Sequence, residues 1–200
     1  MFNRIIVTIL LVLVATGFVY GQRVRAGDTP AWPPANGISR FTLHQPENYA
    51  PRSLEALSAQ SPLIALATVQ QTIVRVLDHR LETDVVVRLD RVLRGPAGLK
   101  TVVVSQRGGV LGGYQELPLQ FDLMKPGEQY FLFATEDKRT NMPMVSGSPR
   151  YWITGEWTGN PHIETQGIRF QSTAPGELRG RYEGMDLNHF LAEVTAVLNK

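Results

Sequence analysis

The sequence predicts a mainly β domain of the α+β class: short antiparallel strands forming a small barrel, with a short helix before them and an amphipathic helix at the C-terminus. Three observations point there. Runs rich in Val, Ile and Leu recur at strand length, bounded by Gly, Pro and charged residues. The links between them are short enough for hairpins. After Gly184 the apolar spacing changes to a helical period and keeps it to the end.

The 200 residues allow one domain and a tail, with enough core to fold without staples. Residues 1–21 stand apart from that core. Arg4 precedes an apolar run from Ile5 to Val14, and Ala15-x-Gly17 offers small residues where a signal peptidase would cut, with Val19-x-Gly21 and Val24-x-Ala26 as fallbacks. As a helix, Ile5 to Tyr20 would rise ~24 Å, short of a hydrocarbon core of ~30 Å. We expect a cleaved export signal, the alternative being a membrane anchor over residues 5–20. Residues 22–52, rich in Pro, Gly and small polar residues, read as a linker or arm with Trp32 and Phe41 as docking points.

The domain proper is expected over 53–183. Ser53 can cap a helix over Leu54–Ala59, which Ser61-Pro62 ends. Leu63 to Leu77 is a long β-rich run, and Val85, Val87 and Leu89 alternate with polar partners as in a half-buried strand. Between them, Asp78 to Asp84 reads as a charged hairpin tip. Gly95 to Gly98 turns the chain into a strand over Leu99–Ser105, and Pro126-Gly127 precedes the apolar run Tyr130 to Ala134. Arg150 to Thr154 and Ile163 to Phe170 read as further strands. In residues 184–200, Asp186 can cap a helix whose Leu187, Phe190, Leu191, Val194, Val197 and Leu198 form one stripe, to be laid on the sheet.

Cysteine is absent, which excludes disulfides, thiolate metal sites, a cysteine nucleophile and a lipid-bearing cysteine. Beyond Arg4 the chain carries 19 basic and 18 acidic residues, interleaved. Nucleic-acid binding would call for a concentrated basic face, so we expect none.

Within Ser53 to Ala134, four pieces occur in order: "SPLIALATVQQTIVRVL", "VVVRLDRVLRG", "LKTVVVSQRGG" and "MKPGEQYFLFA". As a set they resemble exported bacterial proteins of unknown function and the OB-type barrel of netrin-like modules and tissue inhibitors of metalloproteinases. The resemblance implies an OB-like barrel and a binding role. Tissue inhibitors place a disulfide-tethered N-terminal cysteine on a catalytic zinc; without cysteine, that mechanism carries over to no residue here.

The motifs that might carry chemistry fail on spacing. Gly108-Gly-Val-Leu-Gly-Gly113 is not Gly-x-Gly-x-x-Gly, and the segment after it holds Pro118 and Pro126 with no helical stripe. The glycines read as a bend or bulge at a sheet rim, with Gly109 and Gly112 as candidate partner contacts. His44, His79, His162 and His189 lack zinc-ligand spacing, and no metal or other cofactor is expected. Asp78-His79 with Glu82 and Asp84 is the densest ionisable cluster but lacks the glycine of a calcium loop. Ser146-Gly-Ser148 is not a nucleophile elbow. Glu116, Glu156 and Glu164 would matter for glycoside hydrolysis only if they met in space. Tyr151, Trp152 and Phe170 are expected in the core, whereas an exposed Trp157 would stack on a sugar or peptide.

The expected function is therefore a non-enzymatic binding module, secreted or periplasmic, that recognises a protein or an envelope component. An inhibitor-like module that blocks a peptidase with an inserted loop is the alternative, followed by a carbohydrate-binding domain.

Overall fold

A computed structural model describes residues 36–41, 50–118, 121–139, 147–155, 158–172 and 174–200. Its spine is a long antiparallel hairpin of β2 (Leu63–Leu77) and β3 (Arg80–Arg94). Only Asp78 and His79 connect the two strands, both at positive φ (48° and 59°), as a two-residue primed turn requires. Asp and His tolerate that backbone better than β-branched residues do. The charged tip expected over Asp78 to Asp84 is corrected accordingly: Glu82 and Asp84 lie in β3 and are buried.

Alternation then sorts the faces. Val85, Val87 and Leu89 join an inner cluster with Leu63, Ala65 and Val69, while Arg88 and Asp90 stay exposed. Register shifts at Ile64/Ala65, Leu66/Ala67 and Val69/Gln71 bend β2 around that cluster. β4 (Thr101–Arg107) pairs antiparallel with β3, β7 (Gln129–Glu136) antiparallel with β2, and β8 (Arg150–Ile153) parallel with β4. β8 also meets the end of β7, pairing Ala134 with Ile153 and Glu136 with Tyr151. Five strands thereby return on themselves in the order β2-β3-β4-β8-β7.

This ring differs from the expected small antiparallel barrel. It contains a parallel pair and belongs to a seven-stranded sheet. The free edge of β7 is shared. β8 takes its last residues, and Gly159 and Pro161 accept hydrogen bonds from Phe133 and Phe131 at 2.6 and 3.0 Å. β9 (His162–Glu164) and β10 (Gly167–Arg169) continue the sheet beyond the ring, so the strand expected over Ile163 to Phe170 is divided by a turn. A second sheet holds β1 (Asn36–Phe41), β6 (Gly113–Pro118) and β5 (Gly109–Leu111), with β1 parallel to β6. Residues 36–41, expected as part of a linker or arm, are a strand instead. Their sequence does not alternate; the open edge of β6 makes them a strand.

The helices cover the other face of β7. α1 (Leu54–Ala59) starts at Ser53, whose hydroxyl accepts from the Ala56 N–H at 3.1 Å. α2 (Gly176–Tyr182) is a helix within the span 53–183 expected to be barrel, a correction to that expectation. α3 (Leu187–Leu198) is capped by Asp186, which accepts from the N–H groups of Asn188 and His189. Phe190 of α3 meets Phe131 edge-on with centroids 5.1 Å apart, and Tyr182 at 5.5 Å. Such aromatic pairs add about 0.5–1.5 kcal/mol beyond their buried area. Strand β7 thus buries Leu132 and Ala134 on one face and Phe131 and Phe133 on the other, which is why its sequence is apolar throughout. No helix among the described residues is long and apolar enough to cross a membrane.

Candidate functional site

Strand β10 positions one wall of a cleft. Gly167, at φ 121°, passes so close to the chain before α3 that a Cβ would lie 2.6 Å from the Gly184 carbonyl. Ile168 then exchanges backbone hydrogen bonds with Met185 and Gly184. This fixes β10 so that Phe170 enters the core while Arg169 stays exposed. The Phe170 N–H donates to Glu183 Oε2 at 3.0 Å, and Arg179 Nη1 donates to the Ser172 carbonyl at 2.9 Å.

The facing wall follows β6. Asp122 N–H donates to Gln171 Oε1 at 3.1 Å, which pins the two walls together. β1 adds the third side, because its parallel register sets Arg40 opposite Leu117 and Phe41 opposite Pro118. Between these segments lies a cleft of about 450 Å³, lined by Arg40, Asp122, Arg169, Arg179 and Glu183 over Phe121 and Phe170. That volume suits a small ligand or a short piece of a larger one.

Of the five charged residues that line the cleft, Arg169, Arg179 and Glu183 already have a hydrogen-bond or ion-pair partner. Arg169 Nε lies 2.6 Å from Glu164 Oε1. Among the described residues, neither Arg40 nor Arg179 forms an ion pair, and neither does Asp122 or Glu183. Arg179 and Glu183 are one helical turn apart yet do not close on each other.

A second charged cluster is the opposite case. Arg75 Nη2 lies 2.5 Å from Glu82 and 2.9 Å from Asp84. Arg139 bridges Glu82 and Asp137 at 2.9 and 2.8 Å and stacks over Trp152, 4.1 Å from its ring centre. Arg150 joins Asp84 and the Ser105 hydroxyl. Three guanidiniums and three carboxylates neutralise one another across β2, β3, β4, β8 and the residues after β7. Burial would raise the Asp137 carboxyl, but the hydrogen bonds and charge of Arg139 outweigh it and hold its pKa below the ordinary value. The cluster clamps the ring, and within it the buried Nε and Nη1 of Arg75 make no hydrogen bond among the described residues.

The residues singled out from sequence fall in separate places. Gly109 is buried and Gly112 exposed, at the two ends of β5. Trp157, Glu156, His44 and Ser146 lie outside the described residues. His79 sits in the β2–β3 turn, and His189 is exposed on α3. The His162 ring packs 4.8 Å from that of Tyr130. Among the described residues no group of His, Asp and Glu is arranged to hold a metal. Glu116 is committed to the Leu81 N–H (2.7 Å) and Arg80 (3.1 Å), and Glu164 to Arg169. Sequence reasoning missed Arg40, Asp122, Arg179 and Glu183. The four-residue spacing of Arg179 and Glu183 was the one available signal, and it needed α2 to be seen first.

The chain matches no protein-family model, and no curated protein is similar to it in sequence.

Proposed function

We propose that the chain is an exported, non-enzymatic binding module of the cell envelope or extracellular space, built on an OB-type barrel and recognising a protein or envelope component through the cleft. The observation that carries the reading is the cleft itself, whose charged lining sits on walls tied by hydrogen bonds from backbone N–H groups to the Gln171 and Glu183 side chains. A preformed concavity with polar groups held in place is what gives a ligand a fixed orientation. The barrel assignment is supported by the five-stranded return of the sheet, with the β4–β8 parallel pair and helices over one side, and by the netrin-like order of sequence pieces. Export is supported by Arg4, the Ile5 to Val14 run and Ala15-x-Gly17.

The test is chemical cross-linking in intact cells of the native host, followed by mass spectrometry of a tagged chain. A discrete, saturable adduct in the extracytoplasmic fraction is expected. Recovery of the chain in the cytoplasm with no adduct would overturn the reading.

A peptidase-inhibitor-like role is the second reading. It draws on the β5–β6 hairpin, where Val110 and Leu111 are exposed at 49% and 39%, as an inserted loop would be.

A further inference from the structure

Among the described residues, the exposed Arg40, Asp122, Arg179 and Glu183 of the cleft form no ion pair, and these four charges specify a ligand class, an inference that rests on the binding reading above. A plain anion would be drawn to Arg40 and Arg179 but repelled by Asp122 and Glu183. A plain cation would meet the reverse. A neutral sugar would hydrogen-bond these groups through its hydroxyls but would bring no charge to pair with any of them. A ligand that carries both signs satisfies every one of them.

We propose that the cleft binds a short peptide that presents a carboxylate to Arg40 and Arg179 and an ammonium group to Asp122 and Glu183. Arg179 lies in α2 and Glu183 at its C-terminal cap, one helical turn on, so the helix end offers both signs of charge side by side. Glu183 Oε2 is taken by the Phe170 N–H, leaving Oε1 to accept from the ligand, and Arg179 keeps guanidinium donors beyond the one given to Ser172.

The test uses the ¹⁵N-labelled full chain with di-, tri- and tetra-alanine as probes, read at the amides of Asp122, Gln171 and Ser172. At least one oligomer is expected to give saturable shifts. N-acetylation or C-terminal amidation should each weaken it by about tenfold or more, since each deletes a charge-assisted contact. The double variant Arg40→Gln/Arg179→Gln should weaken the free peptide by a similar factor and leave the amidated one unchanged. Asp122→Asn/Glu183→Gln should do the same for the free and acetylated forms, with melting curves confirming that each variant folds. Equal binding of the doubly blocked peptide, or no saturable shift with any oligomer, overturns the proposal. If the oligomers fail while the in-cell adduct persists, the ligand class is wrong and the binding reading stands. If they bind as described and no adduct forms, the ligand class stands and the envelope-component reading falls.

Discussion

Asp84 and Arg150 form a two-pronged pair across the sheet: Arg150 Nη2 donates to Asp84 Oδ2 at 3.0 Å, Nη1 contacts Oδ1, and the side chains are 1% and 9% exposed. Removing one partner strands a buried charge, which typically costs about 3–5 kcal/mol. Arg75 also reaches Asp84, at 2.9 Å, and so softens the loss. Arg150→Met should therefore destabilise the chain by about 3 kcal/mol in denaturant unfolding. The double variant Arg150→Met/Asp84→Asn should lose less than the sum of the single changes. Additive losses would mean that the two residues act independently.

The glycines of the β4–β6 region should answer to substitution in proportion to their space. A Cβ on Gly109, at φ 153°, would lie 2.7 Å from Val74 Cγ1 and 2.8 Å from Thr83 Oγ1. Overpacking and strain together predict a loss of about 1–3 kcal/mol for Gly109→Ala. Gly112 has open space but sits at φ 60°, so Gly112→Ala should lose about 1 kcal/mol through its backbone alone. Melting curves with unchanged midpoints at both positions would contradict the bend and move attention to this loop as a contact surface.

Asp137 gives the clamp a pH dependence. Its folded pKa lies below the ordinary 3.8 because Arg139 outweighs the effect of burial. A carboxyl depressed in this way stabilises above its unfolded pKa and loses that contribution as pH falls through the folded value. The window runs downward from an unfolded pKa of about 3.9. The melting-temperature gap between the native chain and Asp137→Asn should hold constant at neutral pH and close on acidification below about pH 4. A gap that stays constant through that window would show that Asp137 gains nothing from its ionised form.

Export can be read from the N-terminus. The chain recovered from its native host should begin near Phe18, Gln22 or Gly27, after the small residues that follow the apolar run. A soluble cytoplasmic protein that retains Met1 would contradict this.

How far the sequence could be read depends on how local each cause is. Ser53 and Asp186 reveal their helices because a cap acts within three residues. The alternation of Val85, Val87 and Leu89 reveals β3 for the same reason. The closing of the ring is non-local: β4 and β8 pair in parallel over a long connection, and nothing in either strand announces it. β1 depends on the edge of β6, and α2 lacks a side-chain cap, starting at Pro175. Glu82 and Asp84 looked like a solvated tip because their arginine partners come from β2, β8 and the residues after β7. The cleft is likewise assembled from β1, the end of β6, β10 and α2, so its residues share no motif.

If the cleft is where a partner binds, site-specific photo-cross-linking in intact cells will show it. A photoreactive amino acid would replace Pro118, which lines the cleft, and in a separate variant Lys100, which is exposed and does not. A discrete adduct is expected from position 118 and none from position 100, and it should fade when Arg179→Gln and Glu183→Gln are added. Adducts of equal yield at both positions, or none at position 118 while position 100 cross-links, would contradict binding in the cleft.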